Sequence, residues 1–355
     1  MTSPSPSAAI EWRHISAFAE HFARCALTPD ETVAVLSEST SRPQLVATAR
    51  LAAQSLGARV VDIVVPTPAS SHPVPIRSTG ASQAIAGHPV AIAALAAADL
   101  VLDCTVEGLL HAPELGHILD GGARVLMISN EHLDTFDRLV WDDDLPRRVA
   151  LGHEWLRGAG RMRITSAAGT DLVVELDGAR TAGSTGLTDG PGSIAHWPGG
   201  LVLAFPAAGT VSGTLVHGVG DINLTFNRYT EHPITLTIDD DHIVDIAGTG
   251  VDAELFRSYL SAFGDRASYA TSHVGWGMNP AARWDGIELY DHGDVWGTEA
   301  RAFAGNFLYS TGANEHAGRF TAGHFDLPMR QCTVMLDDRP VVVDGVLVPE
   351  LAARA

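Results

Sequence analysis

Residues 32–66 read TVAVLSESTSRPQLVATARLAAQSLGARVVDIVVP, two short β-branched runs either side of a stretch rich in Ala and Leu. A run that stays apolar from residue to residue suits a parallel strand buried on both faces, whereas a strand with one wet face alternates. The stretch between the runs is made of helix formers and ends in Leu-Gly-Ala, with the glycine where a helix stops. The reading is strand, crossover helix, parallel strand. The same alternation continues downstream, where HPVAIAALAAA precedes DLVLDCT and APELGHILDGGA precedes RVLMIS. This predicts a doubly wound parallel α/β domain over 11–158, preceded by a flexible tail over 1–10 and left through a helix near 144–158. No G-x-G-x-x-G follows the first strand, so a dinucleotide site is not supported. Ligands of open α/β sheets still gather beyond the strand C-termini, and CTVEGLLHAPE, residues 104–114, is such a segment and carries His111.

After 158 the grammar changes. RMRITSAAGTDLVVEL and ITLTIDDDHIVDIAG are alternating runs separated by polar turn residues, the pattern of hairpins. LVLAFP, GTLVHG and CTVMLDDRPVVVDG add strands, and DAELFRSYLSAFGD is one amphipathic helix among them. Residues 159–355 are therefore expected to form a β-rich α+β domain.

Composition removes several classes of function. The formal net charge is −19, which opposes both nucleic-acid phosphates and an anionic membrane surface. All 23 basic residues are arginine, so a Walker A lysine, a pyridoxal Schiff base and a lysine aldolase are excluded. Cys25, Cys104 and Cys332 are far apart and form no C-x-x-C, which fits a reducing cytoplasm. The opening MTSPSPSAA lacks the basic and apolar regions of a signal peptide, and no apolar run reaches membrane-spanning length.

Residues 321–330, TAGHFDLPMR, carry a His-x-Asp pair. In a strand, residues i and i+2 share a face, so His324 and Asp326 project side by side if this segment is extended. Such a pair is a polar couple on a wet face or part of a metal site. The best third ligand is His273 in TSHVGWGMNP, followed by Gly275 and Gly277, where backbone can pass close; His292 and His316 compete for the place. Two histidines and one carboxylate suit the facial triad of non-haem Fe(II) oxygenases, while zinc with a bound water would suit hydrolysis. Spacing leaves both metals open.

In HWPGG, GVGDI, SHVGWGMNP, ARAFAGNFLYSTG and HFDLPMR, with LLHAPE upstream, the chain resembles the 2,5-dihydroxypyridine 5,6-dioxygenase family of nicotinate catabolism. The resemblance runs from about residue 30 to the C-terminus and is most specific after 195. It implies an Fe(II) enzyme that opens 2,5-dihydroxypyridine between C5 and C6 with O₂, giving N-formylmaleamate. It implies His273, His324 and Asp326 as the iron ligands, and His196 of AHWPGG and His111 of LLHAPE as pocket histidines. His196 is assigned to binding or deprotonating the substrate and His111 to acid–base work on the oxygen-derived intermediate. Ser310 of FLYSTG is matched to bonding the substrate and Leu110 to shaping the entrance. The family likeness also implies a cytoplasmic homo-oligomer. One segment departs from the family pattern: ARTAGSTGLTDGPGSI, before His196, is richer in Gly and Ser, which bears on the ring's substituents rather than on the metal.

The family in turn looks like a branch of a metalloaminopeptidase fold, which makes a two-metal hydrolase the chief alternative. That chemistry needs further carboxylates, one of them bridging. The glutamate expected near 273 and the histidine expected where this chain reads NFLYS are both missing. A metal-free binding protein on the same fold is a third reading, and it leaves three ligands in register with nothing to hold. Alanine at any one of the three ligands is expected to remove the iron and leave the fold standing.

Overall fold

The computed structural model describes residues 10–69, 82–188 and 190–353. The tail expected over 1–10 lies, but for Ile10, outside the described residues. The described residues divide into two compact units, one built from 10–68, 82–140 and 186–197 without 189, the other holding 141–185 and 198–353.

The first unit is the parallel α/β domain. Its sheet runs in the order Arg59–Val65, Thr32–Glu38, Leu100–Asp103, Arg124–Ile128, Ile194–Trp197, and every pairing is parallel. The central strands are buried along their length because helices cover both faces, as their unbroken apolar sequences require. One apolar cluster packs Phe18, Phe22 and Leu45 against Val33, Leu102 and Trp197; the other packs Leu95 and Ile118 against Leu36 and Val125. The strand order reverses between Thr32–Glu38 and Leu100–Asp103, which makes the C-terminal ends of these two strands the switch point of the sheet. The segment carrying Leu110 and His111 leaves from there.

The second unit is antiparallel. Among the described residues one sheet has eight strands, from His242–Ala247 at one edge to Val346–Leu347 at the other; it contains both expected hairpins, Arg161–Ser166 with Asp171–Glu175 and Ile234–Asp239 with His242–Ala247, and a further one, Cys332–Leu336 with Arg339–Val343. The other sheet orders Arg319–Met329, Phe307–Asn314, Thr271–Gly277, Leu201–Phe205 and Arg180–Ser184. Trp276, Tyr309, Phe325, Phe256 and Met162 belong to one core shared by these elements.

The boundary read from the sequence differs from this division at two places. Helix Leu145–Arg157 puts Leu145, Val149 and Leu156 into the core of the second unit, with Val202 and Trp276. Strand Ile194–Trp197 pairs with Arg124–Ile128 and so belongs to the first. A four-residue strand pairing with a strand some 70 positions earlier leaves no local trace in sequence. Gly275 and Gly277 do mark close backbone approach, but what approaches is protein: a Cβ on Gly275 would collide with the Val202 carbonyl, and one on Gly277 with the Phe303 carbonyl. Among the described residues no helix is long and apolar enough to cross a membrane.

Candidate active site

In the second unit, three neighbouring strands bring the histidines and the carboxylate of the sequence reading together. Arg319–Met329 is extended through His324 and Asp326, and His324 Nε2 lies 3.1 Å from Asp326 Oδ1, so the i, i+2 pair does share a face. The adjacent strand places Ser310 opposite Asp326 and Gly312 opposite His324. Residues directly opposite in an antiparallel pair point to the same side. The Ser310 hydroxyl accordingly donates to Asp326 Oδ1 and lies 3.0 Å from His273 Nε2. His273 comes from the third strand, where the register breaks between Thr271 and Val274. A bulge of this kind re-aims a side chain, and here it sits at His273.

The face is dry. His273, His324, Asp326 and Ser310 are all buried. His273 Nε2 is 3.9 Å from Asp326 Oδ1, and the rings of His273 and His324 stack with centroids 5.4 Å apart. The Ser272 hydroxyl gives its hydrogen to the Ala313 carbonyl, so it accepts from His273 Nδ1–H at 3.1 Å, and Nε2 is the ring atom that faces Ser310 and Asp326. The Tyr259 hydroxyl donates to the His324 carbonyl at 2.8 Å and anchors that strand. Arg301, in the helix Thr298–Ala302, donates from Nε to Asp326 Oδ2 at 2.6 Å. Burial alone would push the Asp326 carboxyl up; Arg301 first, then His324 and His273, outweigh it and hold the group well below the ordinary carboxylate range. The competing histidines are elsewhere in character: His292 and His316 are exposed.

The first unit presents its own groups. Leu110 is half-buried and His111 buried, in the loop after Leu100–Asp103. Asp103 shapes that loop by accepting from the Thr105 N–H and hydroxyl and from the Leu109 N–H, at 3.0, 2.7 and 2.9 Å. Burial pushes its carboxyl up to about 6 against the pull of those bonds. Glu38 Oε1 adds a bond from the Val106 N–H at 2.7 Å. His196 lies on Ile194–Trp197, its Nε2 2.8 Å from the Ser129 hydroxyl. That hydroxyl donates to the Trp197 carbonyl, so it accepts from His196 Nε2–H and leaves Nδ1 as the basic atom.

A family model described as 2,5-dihydroxypyridine 5,6-dioxygenase matches residues 13–349. The chain belongs to the 2,5-dihydroxypyridine 5,6-dioxygenase family. The curated 2,5-dihydroxypyridine 5,6-dioxygenase of Pseudomonas putida KT2440 is 39% identical over 334 residues, covering 92% of this chain and 94% of the relative. A solved structure of 2,5-dihydroxypyridine dioxygenase from Pseudomonas putida KT2440 matches with TM-score 0.90 and 36% identity, over 99% of this chain and 100% of that one. Wild-type AmpT from Thermus thermophilus shares the fold at TM-score 0.62 and 14% identity, over 95% of this chain and 99% of its own.

For a 2,5-dihydroxypyridine 5,6-dioxygenase family member, a metal fits the donor set of the second unit. With bonds of about 2.1 Å, adjacent ligand atoms on one metal lie about 3 Å apart. The 3.1 Å between His324 Nε2 and Asp326 Oδ1 matches that, and His273 Nε2 stands somewhat farther off, at 3.9 Å. A second cluster, His14 with Asp134 and Asp137, also brings three potential ligand atoms together. There Arg13 already answers the charge, donating to Asp134 at 2.8 Å and Asp137 at 2.5 Å. Sequence reasoning missed Ser272, Ser129 and Arg301. Ser129 and Arg301 act on side chains 67 and 25 residues away that only folding brings near, whereas Ser272 stands beside His273 in SHVGWGMNP and was quoted there without a role.

Proposed function

We propose that this chain is a mononuclear non-haem Fe(II) dioxygenase that opens 2,5-dihydroxypyridine between C5 and C6 to N-formylmaleamate. His273, His324 and Asp326 hold the iron. The observation that carries the reading is the convergence of two imidazoles and one carboxylate on a buried sheet face, in a chain of this family. Bound there, Fe(II) would supply the electron exchange with O₂ that a closed-shell ring lacks. Both oxygen atoms enter the product and the ring supplies all four electrons, so no reductant or nucleotide is required.

The rest of the chemistry falls to protein groups. With Nε2–H directed to the Ser129 hydroxyl, His196 uses Nδ1 to accept a proton from the ring hydroxyl, which makes the substrate electron-rich. His111 moves the proton that oxygen insertion needs, Ser310 offers a hydroxyl beside the metal ligands, and Leu110 shapes the approach. The hydrolase alternative loses support at Asp326: its second oxygen faces the Arg301 guanidinium, where a two-metal site would want a second cation.

The purified protein with Fe(II) and no added reductant should consume one O₂ per dihydroxypyridine as the ring absorbance disappears. A panel of hydroxypyridines in an oxygen electrode identifies the preferred ring. If none supports uptake while a peptide amide is hydrolysed, the dioxygenase reading fails. The buried free thiols Cys25, Cys104 and Cys332 are in keeping with a cytoplasmic enzyme. A homo-oligomer is expected by light scattering, and a fully active monomer would refute that part.

A further inference from the structure

We propose that Arg301 is a positioning residue that keeps Asp326 a one-oxygen ligand, and so sets how many metal positions stay open to substrate and O₂. This rests on the metal site proposed above. A carboxylate can offer a metal one oxygen or two, and two would close a position that a ring-cleaving site needs. In this chain the two oxygens are told apart by their partners. Oδ1 faces His324 Nε2 at 3.1 Å and His273 Nε2 at 3.9 Å, while Oδ2 takes the Arg301 Nε–H at 2.6 Å.

Arg301 is itself held on several sides. Its Nη1 donates to the Trp296 carbonyl at 2.9 Å, and its guanidinium lies 4.9 Å from the centre of the Trp296 ring. Its own carbonyl accepts from Asn306 Nδ2 at 2.6 Å. Both Arg301 and Asp326 are buried, so their bond meets little competition from water. Turning Oδ2 towards a metal would break that bond and leave the guanidinium facing a cation. The arginine therefore blocks the two-oxygen mode by geometry and by charge.

The test loads metal-free full-length protein with Co(II) and crystallises wild type, Arg301→Met and Arg301→Lys. One Asp326 oxygen on the metal is expected in wild type and both in Arg301→Met. Arg301→Lys, which restores a cationic donor, should return the one-oxygen arrangement, a rescue that a merely structural role would not produce. In solution the Co(II) affinity of Arg301→Met should change by about tenfold to a hundredfold, the usual reach of residues that orient a ligand. If Arg301→Met does not fold, Arg301→Gln, whose amide stops short of Oδ2, takes its place with the same expectation. One-oxygen binding in these variants overturns the role of Arg301 while leaving the site intact. A wild type that takes up no Co(II) at His273, His324 and Asp326 overturns the site and the role with it.

Discussion

Asp326→Ala should lose both the metal and the fold's margin of stability, whereas His324→Ala should lose chiefly the metal. The difference lies in what each side chain leaves behind. Removing His324 deletes one donor and leaves no charge stranded. Removing Asp326 leaves the buried Arg301 guanidinium without the carboxylate it meets at 2.6 Å. Breaking a buried ion pair from one side costs about 3–5 kcal/mol, because an uncompensated charge stays in a low dielectric. The sequence alone suggested that alanine at any ligand would spare the fold; for Asp326 the ion pair changes that expectation. Thermal melts and metal analysis of anaerobically purified variants separate the two effects. Stoichiometric iron in Asp326→Ala would defeat the ligand assignment, and a melting temperature equal to that of His324→Ala would defeat the stability argument.

His196→Ala and His111→Ala should keep their iron and turn over about 10² to 10⁴ times more slowly, the usual worth of a general acid or base. For His196 the effect should depend on pH. The Ser129 hydroxyl fixes its Nε2–H, so Nδ1 is the atom that takes the proton in that role. Without the imidazole, the rate should follow ionisation of the ring hydroxyl itself, and raising the pH should recover part of the loss. Rates measured across pH with iron content checked in each sample decide it. A His196→Ala enzyme with wild-type turnover would remove His196 from the chemistry.

Much of this protein is written locally. Continuous apolar runs such as TVAVLSE can be buried on both faces only in a covered sheet, so the parallel half was readable from residues 32–66, although the second run, Arg59–Val65, is the edge strand and stays largely exposed. Hairpins were readable because their strands are neighbours in sequence, and the His324–Asp326 pair because a strand's period is two. The family's motifs, above all SHVGWGMNP and HFDLPMR, identified the chain's relatives.

Other features depend on contacts that no short window contains. That His273, and not His292 or His316, is buried beside His324 and Asp326 follows from strand pairing and a register break at Thr271–Val274. Arg301 reaches Asp326 across 25 residues of chain, and Ser129 reaches His196 across 67. Helix Leu145–Arg157 and strand Ile194–Trp197 take their units from the cores and partners they find after folding. Periodicity is a property of neighbouring residues and survives in the sequence. Which buried charge meets which is settled only when distant strands close on one another, because the desolvation that makes those pairings matter does not exist before then.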